Sequence, residues 1–170
     1  MGGKNRLASI AGKIGRLPGS LQPWALSWMF NSQVKLAGTA GVRVEELTAN
    51  RSIVKVANVT KARNHIGSVH ACGMALAAES ATGILVGMTV PDDRVPLCKR
   101  MSIDFTRLSQ GDITAVATLS DEQLAAVLDQ EKGETNVKVT VTDESGQEPI
   151  RAEFVWAWIP KRRKISLNEL

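Results

Sequence analysis

No uninterrupted apolar run in this 170-residue chain reaches the roughly 18 residues that a membrane-spanning helix needs. The nearest stretch, residues 74–90, is broken by Glu79, Ser80, Thr82 and two glycines. The opening segment, MGGKNRLASIAGKIGRLPGS, carries cations but no long apolar centre, so a secretory leader is not expected. A weak amphipathic helix or a frayed tail accounts for it better. Cysteine is scarce as well: Cys72 and Cys98 make no CxxC-type metal spacing, and without an export signal they read as two reduced thiols in a cytoplasmic protein. The net charge is only +4. Its cations gather at the ends, in Lys4, Arg6, Lys13 and Arg16 and in the run KRRK at 161–164. Such runs are solvated or attract phosphates. Aromatic residues do not interleave with them, which argues against nucleic-acid binding. Internal repeats and low-complexity linkers are missing too.

What is present suffices for one domain. Hydrophobic residues make up 44% of the chain, enough for a proper core. The expected layout is a basic N-terminal segment at 1–20, a single domain at 21–162 and a C-terminal tail at 163–170. Pro23 suits a helix's first turn, and PWALSWMFNSQVKLAG places Trp24, Trp28 and Val34 on one stripe of a helix ended by Gly38 and Gly41. All four tryptophans are expected in the core rather than as ligand platforms. GVRVEELTANRSIVKVANV reads as two strands joined by a turn at residues 49–50. TKARNHIGS has no periodicity and reads as a loop.

Residues 69–86, VHACGMALAAESATGILV, form the one long helical stretch that is apolar almost all round, and such a helix must be buried on most sides. Its alanines and glycines let other backbone approach closely. VPDDRVP follows as a loop with a proline at each end. KRMSIDFTRLS and ITAVATLS then read as strands. DEQLAAVLDQEKG is a short helix capped by Ser120 or Asp121, or a widened hairpin connection. NVKVTVTDESG alternates, and IRAEFVWAWIP puts Phe154, Trp156 and Trp158 on one face. A helix, two strands, one buried helix and four strands make an α+β chain whose antiparallel sheet must wrap around the long helix.

Glu79 is the only charged side chain between Arg63 and Asp92. An ionisable group on an apolar helix costs several kcal/mol unless it is paired or its pKa rises. Either it is a structural carboxylate satisfied by a buried hydrogen bond or reaching solvent, or it serves as general base or nucleophile at a carbonyl. Backbone N–H groups near Ala71 and Cys72 lie at the positive end of the same helix, where an oxyanion would be stabilised. Eight residues separate Ala71 from Glu79, which is ~12 Å at ~1.5 Å per residue. One subunit therefore cannot present both to one carbonyl. Two subunits, the helix start of one facing the helix flank of the other, remove the conflict and predict a homodimer with two shared sites. Cys72 falls within ~20° of Glu79 around the helix and lines the same pocket. Asn64 either orients water or the carbonyl, or bonds its own loop backbone. His70 either caps the helix or positions the loop, and His65 reads as a solvated loop residue.

The run Asn64-x-x-Gly67-x-x-His70, followed by Glu79 in the helix, resembles the signature of the hotdog thioesterase superfamily. The likeness is nearest to a branch of thioesterase-like proteins described as a domain of unknown function. Ala71-Cys72 stands where that signature has two glycines. The resemblance implies a hotdog fold over residues 35–160, dimerisation, and hydrolysis of acyl-CoA or acyl-carrier thioesters without metal or organic cofactor; the sequence does not decide between a dimer and a tetramer. On that reading Glu79, Asn64, His70 and Ala71 are catalytic. Gly67, Cys72, Lys99, Arg100 and Arg107 bind substrate, and CoA phosphates are expected at those cations, on the strand after the helix, or at Lys161 and Arg162, after the last strand. A non-catalytic acyl-binding hotdog module is the alternative. A hydratase on the same fold ranks last, because it wants a histidine opposite a carboxylate and the only two histidines sit in the loop and at the helix start.

Overall fold

The computed structural model describes residues 5–161. Helix α1 (Arg6–Ile14) is followed by a short 3-10 turn, α2 (Gln22–Gln33) and α3 (Lys35–Ala40). Strands β1 (Arg43–Leu47) and β2 (Arg51–Val56) lead through a loop to α4 (Ala71–Thr89). Then come β3 (Arg94–Phe105), β4 (Ile113–Thr118), α5 (Asp121–Asp129), β5 (Gly133–Asp143) and β6 (Ile150–Pro160). The strands form one antiparallel sheet in the order β1-β2-β4-β5-β6-β3, which curls around α4 as a hotdog fold.

The sheet can close on α4 because the helix is smooth. Ala77, Ala78 and Ala81 are fully buried, so strand backbones approach without displacing long side chains. Ser52 of β2 donates its hydroxyl to the Ala81 carbonyl at 2.7 Å, tying sheet to helix. From the sheet side Val54, Val56, Ile113, Ala115, Val141, Ile150 and Phe154 fill the space around α4. Each larger one contributes about 1.5–3 kcal/mol by leaving water. By length and composition α4 is the one described helix apolar enough to cross a bilayer, and here it is the core helix of the domain.

Four local expectations are corrected. The helix expected across residues 23–38 is two helices: Val34 turns extended (φ −100°, ψ 90°) between α2 and α3. Trp24 and Trp28 are not core residues, with exposures of 70% and 68%; Leu26, Met29 and Phe30 supply the buried side of α2. The helix expected at 69–86 runs from Ala71 to Thr89. Strand β3 begins at Arg94, inside the expected VPDDRVP loop, and holds Pro96. An edge strand tolerates that proline, since the missing N–H weakens no second ladder. Between β4 and β5 the helical alternative holds, with Ser120 and Gln123 forming a capping box.

The described part of the basic N-terminal segment packs on the domain. Asn5 caps α1 by accepting from the Ala8 N–H at 2.8 Å, and its amide donates to the carbonyls of Gly87 and Val90 at 2.8 and 2.6 Å. One side chain therefore fixes α1 to the C-terminal end of α4. Of the cationic run at 161–164, only Lys161 lies within the described residues.

Candidate active site

Glu79 sits midway along α4, half-buried, where two apolar clefts meet. The first, about 220 Å³, runs under α2 and is bounded by Leu7, Met29, Phe30, Val34, Ile84 and Trp156, with Ser80 and Glu79 on its floor. The second is lined by Val34, Leu36, Cys72, Ala75, Leu76 and Met101 together with Glu79. Because Val34 breaks the helix between α2 and α3, its side chain reaches both. The Glu79 carboxyl receives no hydrogen bond among the described residues, and burial alone pushes its pKa above the ordinary 4.5. A carboxyl held in this way accepts a proton more readily than one in water.

The walls around Glu79 depend on a close contact between helix and sheet. A Cβ on Gly83, one turn past Glu79, would lie 2.8 Å from the Trp156 ring, so only glycine lets the indole reach this depth. The indole N–H donates to the Thr82 hydroxyl at 3.0 Å, and that hydroxyl donates to the Ala78 carbonyl at 3.0 Å. Trp156 is thereby held as a rigid cleft wall. The Ser80 hydroxyl is buried without a partner among the described residues, beside Glu79. On β3, burial and the nearby Glu79 charge push the Cys98 thiol up, and Cys98 lines neither cleft. Strand alternation places Trp156 on the core face, and the sequence pattern marks no role for Gly83, Ser80 or Cys98. The signal available was the spacing of Glu79 and Gly83, which puts a small residue one turn from the acid on the same helix face.

The loop before α4 is built by the other motif residues. The Asn64 side-chain oxygen accepts from the N–H groups of Ile66 and Ser68, both at 3.1 Å, the local bonding that a loop asparagine makes. Gly67 adopts φ +83°, which favours glycine at that turn. His70 is the N-cap of α4: its Nδ1 accepts from the Cys72 N–H at 3.0 Å. That leaves the Ala71 N–H without a hydrogen-bond partner among the described residues, at the positive end of α4. Cys72 and Glu79 line one cleft, as their helical spacing predicts. Ala71 and Glu79 remain two turns apart, and neither histidine lines either cleft.

The cations expected at phosphates already have partners. Lys99 pairs with Glu134 and Arg100 with Glu153 at 3.9 Å, both pairs exposed on the sheet. Arg107 donates to the fully buried Asp143 carboxylate at 2.5 Å. The Lys161 ammonium donates to the Asp92 carbonyl at 2.5 Å, and Arg162 lies outside the described residues. These cations do not converge on one point. Among the described residues no cluster of His, Cys, Asp or Glu is arranged for a metal ion.

Solved structures share this architecture. A protein of unknown function from Pseudomonas aeruginosa, described as a probable thioesterase, superposes with a TM-score of 0.72 at 23% identity. The match covers 85% of this chain and 97% of that one. A thioesterase from Haemophilus influenzae matches with a TM-score of 0.67 at 10% identity, over 84% and 93% of the two chains. A thioesterase family protein from Silicibacter pomeroyi gives 0.63 at 13% identity, over 77% and 93%. At such identities the likeness establishes the hotdog fold. No curated protein matches the chain. The family model described as a domain of unknown function (DUF4442) matches residues 22–159, and the chain belongs to that family.

Proposed function

We propose that this protein is a homodimeric thioester hydrolase acting on acyl-CoA or acyl-carrier thioesters, with Glu79 as general base. The observation that carries the reading is a half-buried carboxyl, without a hydrogen-bond partner among the described residues, at the junction of two apolar clefts. The cleft under α2 is smaller than the ~300–1,000 Å³ of a whole-ligand site, so it takes the acyl chain alone. Glu79 removes a proton from water and the oxygen attacks the thioester carbonyl carbon. The C–S bond of the tetrahedral adduct then breaks, and the departing thiolate takes the proton from Glu79. Acid and thiol are the products.

The Ala71 N–H stabilises the oxyanion from the partner's helix start, since ~12 Å separates the two groups within one chain. Strand β3 supports such pairing. It is a long edge strand with Leu97, Met101 and Phe105 exposed, the kind of edge that soluble proteins cover. Sedimentation equilibrium at micromolar concentration should give at least twice 18.3 kDa, and a monomer would sink the shared-site model. Phosphates of CoA fall to Lys99, the bulged residue of β3, and to Arg100 beside it, whose ion pairs with Glu134 and Glu153 are exposed and exchangeable. Arg107 is engaged with Asp143. Two exposed free thiols, Cys72 and Cys98, suit a cytoplasmic setting.

One observation favours a second reading, an acyl-binding module: His70 already occupies the Cys72 N–H, leaving a single donor at the helix start. A panel of acyl-CoA chain lengths with free thiol as readout separates the two. Hydrolysis in the wild type that falls ~10²–10⁴-fold in Glu79→Gln, with folding retained, is the expected result. Full activity in the variant excludes Glu79. Acyl-CoA binding without thiol release in the wild type assigns the module.

A further inference from the structure

The first acidic residue in this chain is Glu45; before it stand six cations and no carboxylate side chain. The net charge of +4 is therefore +6 over residues 1–44 and −2 over the remainder. That same stretch carries the largest exposed aromatics in the molecule. Leu21, Trp24 and Trp28 recur at i, i+3 and i+7 along the start of α2 and share one outward face, opposite Leu26, Met29 and Phe30. Leu17 is exposed just before them.

Cations flank the tryptophans along the chain. The Gln22 amide donates to the carbonyls of Gly15 and Leu17 at 3.2 and 2.9 Å, which pins Arg16 and Leu17 against the start of α2. Lys35 follows the other end of the helix, and Lys13 closes α1. Lys13, Arg16 and Lys35 have no carboxylate partner among the described residues, whereas Arg6 and Arg43 pair with Asp92 and Glu45. Two large indoles in water are a standing cost, and a soluble domain keeps such patches for something that covers them. Tryptophan is enriched where a bilayer's headgroups meet its acyl chains, and unpaired cations beside it match anionic lipid. Moreover, α2 packs on β1, at the far end of the strand order from the β3 edge.

We propose that the outer face of α2, Trp24 and Trp28 flanked by Lys13, Arg16 and Lys35, docks this protein on the surface of an anionic lipid bilayer. The docking is peripheral: the indoles enter the headgroup layer and the cations meet lipid phosphates. It does not depend on the hydrolase reading.

Cosedimentation of the full chain with vesicles of phosphatidylcholine, alone or mixed with phosphatidylglycerol, tests it. Binding to the mixed vesicles at low salt is expected, with release at high salt and no binding to phosphatidylcholine alone. Tryptophan emission should shift to the blue on binding, because Trp156 and Trp158 are already buried and only Trp24 and Trp28 change surroundings. Trp24→Ala/Trp28→Ala should lose the binding while keeping its melting temperature. Neutralising Lys13, Arg16 and Lys35 to glutamine should weaken it roughly fivefold per residue. The absence of sedimentation with anionic vesicles overturns the proposal, as does binding that the double tryptophan variant leaves unchanged. A fall in assembly mass in that variant, without vesicle binding in the wild type, would assign the patch to contact between copies.

Discussion

Asp143, at the end of β5, and Glu79, midway along α4, are both acids withdrawn from water, and they differ in what surrounds them. One Asp143 oxygen accepts from the N–H and hydroxyl of Ser145, the other from the Gln110 N–H and Arg107. Burial alone would raise its pKa, but these four donors outweigh it and hold the carboxyl at about 2. Glu79 has the burial without the donors, and its pKa rises. Four converging donors keep an acid ionised and fix a hairpin. With none, the carboxyl changes charge easily beside an open cleft. Burial by itself does not decide which way an acid's pKa moves; the donors around it do.

Neutralising each acid while keeping its shape gives opposite signs, and the larger effect belongs to Asp143. In Asp143→Asn an amide N–H₂ must face one pair of donors, and the Arg107 charge loses its counter-ion. Thermal or urea unfolding should show a loss of about 3–5 kcal/mol, the scale for breaking a buried pair. Thioester cleavage per folded molecule should be unchanged. Glu79→Gln should unfold no more easily than wild type at neutral pH, because the amide removes a burdened charge. A destabilised Glu79→Gln with a normal Asp143→Asn would reverse the assignment of roles.

A smaller effect appears in pH. Asp143 has a depressed pKa, so its contribution is present above the unfolded value of 3.8 and is lost as pH falls through about 2. Glu79 has a raised one. Its burden is absent below 4.5 and grows as pH rises through the folded value. The stability of Glu79→Gln relative to wild type should therefore increase from pH 4 to pH 7. Paired melts across that range measure it, and a flat difference would mean that the carboxyl titrates as in water.

Much of this was legible in the order of the residues. An all-round apolar, alanine-rich segment has to be wrapped, and the alternation in 137–141 and 154–158 supplies the sheet that wraps it. Glu79 stood out because it alone interrupts that apolarity with charge. The tryptophans were legible only in part. Strand alternation put Trp156 and Trp158 with Phe154 on one face, and that face is buried. Helical periodicity also put Trp24 and Trp28 on one face, but which face a helix buries is settled by its neighbours. Here Leu26, Met29 and Phe30 fit the cleft better. The start of β3 was hidden by Pro96, which marks a loop by local rules and is acceptable only because that strand lies at an edge. No short-range pattern encodes the closeness of Gly83 to Trp156, since it joins residues far apart in the chain.

Strand β3 is third in the chain, yet its ladder is made with β6, from Arg94 opposite Pro160 to Phe105 opposite Ile150. The pairs β1–β2, β4–β5 and β5–β6 join consecutive strands, and β2 waits only for β4. For β3 there is no partner within the subunit until the last strand has been synthesised, and contacts so distant in sequence close slowly. In the interval Leu97, Met101 and Phe105 lie on an unpaired strand that any other nascent chain can template. The strand that brings Cys98 and Met101 to Glu79 is thus the last to be held in place. A growing chain acquires its core helix early and its candidate site only at the end.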